Sequence, residues 1–211
     1  MRQDVLTVPE KPYLFDGRYS ACYVDVPFCI DQRHVYIIHE VLTSWPFKHA
    51  LEIGGYMGAS STAFVEANKR DWDLRLTFCD VEPTDSLRQV IAGHRLVTKP
   101  SWELLDDPGE QFDFILVDGN HDSASVGMEL QRLIPREPLC VMAHDTSASS
   151  AGFPLCEGAR ELKETFIDLP GYRCIEDAAY RPGELTHRGL FLATRDADLF
   201  AIARQAFEKW S

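Results

Sequence analysis

Apolar and polar residues follow two rhythms along this chain. Short apolar runs recur as LEIGG (51–55), LRLTFCD (74–80), HRLVTKP (94–100), FDFILVDG (112–119) and PLCVMAHD (138–145), each bounded by turn residues. Runs of that length read as buried strands. Between them lie segments of helical spacing at about 60–69, 86–92 and 123–133, with a short acidic stretch between the third and fourth strands. A further helix is predicted ahead of the first strand, where Val35, Ile38, Val41 and Leu42 share one face and Asp31 stands at the N-cap position. Strands that alternate with helices predict an α/β domain with a parallel sheet covered on both faces.

Beyond Asp145 the pattern changes. TSASSAGFPLCEGA is small, polar and turn-rich, a loop of the length usually reserved for function, and ARELKETFIDL then returns to helical spacing. YRCIEDAAY and LFLATR, with RPGELTHRG between them, read as two strands joined by a turn.

In an open parallel sheet ligands bind outside the carboxyl ends of the strands, so the residues leaving each strand carry the chemistry. At the first exit stands Glu52-Ile53-Gly54-Gly55-Tyr56-Met57-Gly58-Ala59-Ser60, with three glycines in five positions. Such a loop lets backbone approach a nucleotide-like ligand, although its spacing is not the Gly-x-Gly-x-x-Gly that seats a pyrophosphate. The second strand exits at Asp80, whose carboxylate is suited to accept both hydroxyls of a ribose. After the third come Ser101 and Trp102, a hydroxyl for the edge of a base and a ring for its face; packing of the tryptophan on a helix is the competing reading. The fourth exit holds Asp118-Gly119-Asn120-His121 and the fifth His144-Asp145, so two acids and two histidines should converge at one mouth. A histidine there suits general-base work near neutral pH.

The segment from Glu52 to Ser60 resembles motif I of class I S-adenosylmethionine-dependent methyltransferases, in the variant of small-molecule O-methyltransferases of the catechol O-methyltransferase type. Asp118 to His121 followed by His144-Asp145 is similar to O-methyltransferases of sugar and natural-product pathways and to the cephalosporin hydroxylase-like group. The resemblance covers 51–145 by motif and the remainder by element order. It implies a Rossmann-like fold with a seven-stranded, mostly parallel sheet whose last strand is antiparallel. It further implies S-adenosylmethionine as cofactor, contacted by Glu52, Gly54, Gly55, Tyr56, Gly58, Ser60, Asp80, Ser101, Trp102 and Asp118. In metal-dependent members the acids after the fourth and fifth strands bind magnesium, which carries over to Asp118, His144 and Asp145 as ligands and to His121, with Asp118, as the catalytic pair. His144 stands where that pattern has an acid, and a neutral imidazole weakens the preference for magnesium and admits manganese, iron or zinc, or no metal at all, with His144-Asp145 then only orienting loop residues through hydrogen bonds. The implied reaction is methyl transfer to an oxygen of a sugar or natural-product intermediate. Two alternatives stay open: the same fold catalysing hydroxylation or cyclisation, and a non-catalytic S-adenosylmethionine-binding module.

Composition narrows the partners. The 211 residues are 45% hydrophobic and 26% charged, a profile of one globular domain, here 31–211, preceded by an arm over 1–30 in which prolines alternate with aromatics. A net charge of -12 and no basic stripe argue against nucleic acid. No signal-like or membrane-length apolar run occurs, so the expectation is a cytoplasmic protein that binds a small-molecule acceptor and no membrane, with a homo-oligomer left open. The six cysteines lack CxxC spacing and read as reduced core residues. His34 and His39 read as surface or packing positions.

Overall fold

The computed structural model describes residues 30–69, 73–147, 156–178 and 188–210. The arm over 1–29, most of the loop after Asp145, Cys22, Cys29 and His187 fall outside them. Within the described residues the elements run α1 (Gln32–Ser44), β1 (His49–Ile53), α2 (Ala59–Asn68), β2 (Arg75–Cys79), α3 (Asp85–Val90), β3 (Arg95–Val97), α4 (Ser101–Leu105), β4 (Phe114–Val117), α5 (Ser123–Arg136), β5 (Cys140–His144), α6 (Glu157–Asp168), β6 (Arg173–Asp177), β7 (Leu190–Thr194) and α7 (Ala197–Trp210).

One seven-stranded sheet has the order β3-β2-β1-β4-β5-β7-β6. β1 to β5 pair in parallel, and β7 runs antiparallel to both β5 and β6. The order reverses between β1 and β4, which opens a crevice at their carboxyl ends.

Strand alternation sorts side chains into two cores. Ala50, Phe114, Leu116, Cys140, Met142, Leu190 and Leu192 face α1, α2 and α7, whereas Leu51, Ile53, Ile115, Val117, Val141, Ala143, Phe191 and Ala193 face α4, α5 and α6. On the first face Phe64 packs edge-on against Phe78 and Phe114 at centroid distances of 5.9 and 5.6 Å. Such pairs contribute about 0.5–1.5 kcal/mol each beyond the area they bury.

The parity of β1, β4 and β5 also decides where the polar residues point. Glu52, Asp118 and His144 continue the α1-side rows, and this sets their roles below.

Three features depart from the sequence reading. Asp31 precedes α1 without a side-chain capping bond; its carbonyl accepts from the backbone of His34 and Val35, and its carboxylate lies 3.7 Å from His34 Nδ1. The acidic stretch after β3 is the short helix α4. α7 is an element the reading did not include: Leu199, Ala203, Ala206, Phe207 and Trp210 are buried on one face of it, packed on α1, β6 and β7. Cys79, Cys140 and Cys156 are free and buried and Cys174 is free and half-buried, as expected of core thiols.

Candidate active site

A cavity of about 730 Å³ opens at the crevice between the β1 and β4 exits, within the roughly 300–1,000 Å³ common for small-molecule sites. Its wall includes Gly54, Gly55, Tyr56, Ser60, Asp80, Ser101, Trp102, Asp118, His121 and Asp145. Most of the residues singled out from the sequence therefore meet at one place. Glu52, Gly58 and His144 stand outside that wall.

The glycine loop is dictated by packing as much as by any ligand. Gly54 has φ +82°, and a Cβ on it would lie 2.2 Å from the Asp118 carbonyl, so the β1 and β4 exits can touch only if this residue has no side chain. Gly58, at φ +86°, is N-terminal to α2, where a Cβ would press on Val90. Tyr56 is a non-glycine residue at φ +45°. That conformation is costly and persists because neighbours hold it. Tyr56 N donates to Asp80 Oδ2 at 3.0 Å, and its carbonyl accepts from Thr84 Oγ1 at 2.6 Å. Its half-exposed ring sits at the cavity wall.

Asp80 thus has a structural task that the sequence did not announce. Oδ2 accepts from the backbone N–H groups of Gly55 and Tyr56, at 2.9 and 3.0 Å, and Oδ1 from that of Glu82 at 2.9 Å. Oδ2 is thereby filled by two donors, whereas Oδ1 keeps a second lone-pair direction, so the carboxylate ties the loop and still has one acceptor position to offer.

Glu52 is corrected from a ligand contact to an interior residue. It is fully buried on the α2 side, where the Ser61 hydroxyl donates to its Oε2 while Oε1 has no partner. Burial pushes its carboxyl up to about 8; Asp118 and Asp80 add to this and the Ser60 and Ser61 hydroxyls oppose it. Glu52 is a neutral acid at pH 7.

The fourth and fifth exits assemble the chemistry. His121 Nε2 lies 3.1 Å from Asp145 Oδ2 and 3.7 Å from Asp118 Oδ1. One ligand atom from each of Asp118, His121 and Asp145 falls within 4.8 Å of the others, a spacing that can hold a metal ion. Asp145 reaches the site with φ +59°, strain concentrated where β5 turns into the cavity. The His121 carbonyl accepts from Gly158 N at 2.9 Å, so α6 anchors this loop, and Asp122 caps α5 by accepting from Ser125 N at 2.9 Å.

His144 is corrected from metal ligand to support. As the last residue of β5 it points to the α1 side, is 1% exposed, and contacts Asp118 Oδ1 through Nδ1 at 3.1 Å. Burial pulls its pKa down, but Asp118 and Asp145 outweigh this and raise it to about 9; with Nδ1 engaged by Asp118 and Nε2 buried, the ring supports the two acids from beneath and is not among the side chains whose ligand atoms cluster in the cavity. The fully buried His34 of α1 packs edge-on against it, ring centroids 5.4 Å apart, with Nε2 3.3 Å from Asp177. Burial holds the His34 pKa below its ordinary value against the pull of Asp177, so the pair shares one charge. His34 and His39 are both buried, the packing half of their expected reading. For Asp145, burial would raise the pKa, yet His144, His121 and Arg188 hold it well below the ordinary carboxylate value.

Glu129 is one of the wall residues that escaped the sequence reading. Glu129 of α5 is 3% exposed, and its Oε1 accepts from the Ser101 hydroxyl at 2.5 Å. Burial raises its pKa to about 7, the Ser101 hydrogen bond opposing. A lone Glu in an amphipathic helix carries no signal of this, because the contact joins residues of two helices far apart in the chain.

Comparison with known proteins agrees with this layout. Residues 51–145 match the family model described as a methyltransferase domain. The chain is similar in fold to the O-methyltransferase TomG from Streptomyces achromogenes, involved in tomaymycin synthesis and solved with SAM (TM-score 0.63, 18% identity, 84% of this chain and 86% of that one). It is similar also to an O-methyltransferase from Bacillus cereus solved with SAH (0.62, 14%, 83% and 86%). A third likeness is to the SAH-bound methyltransferase PaMTH1 of Podospora anserina (0.62, 15%, 84% and 86%). No curated protein matches the sequence.

Proposed function

We propose that this chain, whose fold is the Rossmann-like one of the similar methyltransferases, is an enzyme that transfers a methyl group from S-adenosylmethionine to a hydroxyl oxygen of a small polar metabolite. The observation that carries this reading is the His121–Asp145 pair at the β4 and β5 exits, in one cavity with Asp80 and the glycine loop.

The chain fits the cofactor. Along the sheet edge the cavity offers, in order, the glycine loop at β1, Asp80 at β2 and Ser101 with Trp102 after β3. That sequence of surfaces suits an amino-acid portion, a ribose and a base. Glu129 also belongs to the wall, and its Oε2 is a buried atom with no hydrogen-bond partner. When bound, S-adenosylmethionine supplies an electrophilic methyl on sulfur.

An alcohol is a weak nucleophile until its proton is removed. In the hydrogen bond to Asp145, Nε2 of His121 donates, which leaves the lone pair on Nδ1 to take the acceptor's hydroxyl proton. Asp145, strongly ionised, holds the ring and balances the imidazolium that forms. Asp118, fixed by His144 from below, presents a second negative charge to the same space. The remaining task is alignment, because a well-held nucleophile gains a large effective concentration.

A second reading is favoured by the spacing of Asp118, His121 and Asp145. Two carboxylates and an imidazole suit a divalent ion, with the nitrogen favouring manganese, iron or zinc over magnesium. Such an ion would supply positive charge that makes an acceptor hydroxyl easier to ionise. The two readings exclude each other at His121, whose Nε2 cannot both face a metal and donate to Asp145.

Labelled S-adenosylmethionine with a panel of hydroxylated acceptors tests the reading, product mass locating the methyl on oxygen. His121→Ala should lower turnover by about 10²- to 10⁴-fold, the usual weight of a positioned base. A chelator-sensitive rate restored by manganese would favour the metal reading. Product formed by hydroxylation or cyclisation would reject O-methylation.

A further inference from the structure

Glu129 is a carboxyl group taken out of water with half of its hydrogen-bonding capacity unused. One oxygen is occupied by the Ser101 hydroxyl at 2.5 Å, while Oε2 is buried and has no partner. A buried acceptor left unpaired costs about 1–3 kcal/mol, and groups left so in a cavity wall are those a ligand completes. The bland alternative, a salt bridge to a basic neighbour, does not occur among the described residues.

Its place in the fold says what that ligand atom should be. α5 carries Glu129 across to Ser101, the first residue of α4 after the β3 exit. The wall there is completed by Cys79, Trp102 and Ser125, and Asp80 lies one strand nearer the glycine loop. If Asp80 faces the ribose, the group beyond it is the base. A base that meets an acceptor must bring a donor, and adenine brings its exocyclic amine, whereas a 6-oxo purine brings an acceptor and is rejected.

We propose that Glu129 is the residue that selects the adenine ring of the cofactor, its Oε2 accepting from the 6-amino group while Ser101 fixes the carboxyl plane through Oε1. The proposal rests on the S-adenosylmethionine reading above. Because the Ser101 hydroxyl donates, Glu129→Gln should keep its amide oxygen toward Ser101 and turn its NH₂ toward the base, converting an acceptor into a donor without changing volume.

Calorimetric titration with S-adenosylhomocysteine and with its 6-oxo analogue, S-inosylhomocysteine, tests this without turnover. Wild type should bind the adenosyl ligand about tenfold more tightly, the weight of one buried hydrogen bond. Glu129→Gln should move that ratio at least about tenfold toward the inosyl ligand. Ser101→Ala should weaken the adenosyl ligand while keeping the direction of preference. If wild type binds both ligands equally, or if Glu129→Gln leaves the ratio unchanged, Glu129 is not the selector although the cofactor reading stands. If wild type binds neither, the cofactor reading falls and this proposal with it. Should Glu129→Gln fail to fold by circular dichroism, Glu129→Asp, which withdraws the oxygen by one carbon, should erase the preference, and a retained preference would overturn the proposal.

Discussion

Two carboxyl groups at neighbouring strands have opposite fates, and each makes a measurable difference. Asp80 is tied into the glycine loop, its carboxylate accepting hydrogen bonds from the backbone of Gly55, Tyr56 and Glu82. Asp80→Asn is expected to weaken S-adenosylhomocysteine binding by about tenfold or more, since bonds to charged groups contribute roughly 1.5–3 kcal/mol. Glu52 is held neutral, with its carboxyl pushed up to about 8 from 4.5. The unfolded chain loses this proton as pH rises through about 4.5 and the folded chain keeps it to about 8. Stability from Glu52 is therefore full below the lower value and lost as pH rises through the higher one, with a slope of up to about 1.4 kcal/mol per pH unit. Glu52→Gln stays neutral throughout, so denaturant titrations at pH 5 and pH 8 should find it gaining on wild type at the higher pH. Parallel stabilities at the two pH values would contradict a buried, proton-bearing Glu52. Both fates were partly legible: the strand-end acid announced a role for each, but only the parity of β1, visible once Ala50 and Leu51 are assigned to different cores, turns Glu52 away from the cavity.

The elements were read well where local patterning governs them. β1 to β5 and the helices after them, α4 excepted, follow apolar runs and turn residues, and the antiparallel β7 follows from the element order of the resembled fold. Misread features depend on contacts between elements. His144 and Asp145 are adjacent in sequence, yet the strand sends the first toward His34 of α1 and the positive φ of the second turns it into the site. α7 went unread although Leu199, Ala203 and Phe207 keep helical spacing, because the strand LFLATR ends the clear alternation. Packing between elements also yields a prediction. A methyl group on Gly158 would lie 2.6 Å from the Asp122 carbonyl, so α6 and the loop from Asp118 to Asp122 touch with no spare room. Gly158→Ala is expected to destabilise the fold by about 1–3 kcal/mol, the range for overpacking, and to lower turnover through His121, which the same loop carries. Thermal denaturation together with kcat against KM checks this; an unchanged melting temperature would mean that α6 does not brace the loop.

At the scale of the whole molecule, the sheet delivers most of the candidate residues to one cavity at its carboxyl edge, above the two cores. The reverse in strand order between β1 and β4 places the glycine loop beside Asp118, and β5 adds Asp145 next to it. Among the described residues no helix is long and apolar enough to cross a membrane. The account divides the cavity into a half that holds cofactor, centred on Asp80, and a half that handles the acceptor's proton, centred on His121. Calorimetric titration of S-adenosylmethionine into wild type, Asp80→Asn and His121→Asn tests that division most directly. The account expects one site with a dissociation constant in the micromolar range, about −8 kcal/mol, weakened about tenfold or more in Asp80→Asn and unchanged in His121→Asn. No binding to wild type, or equal affinity in wild type and Asp80→Asn, would contradict it.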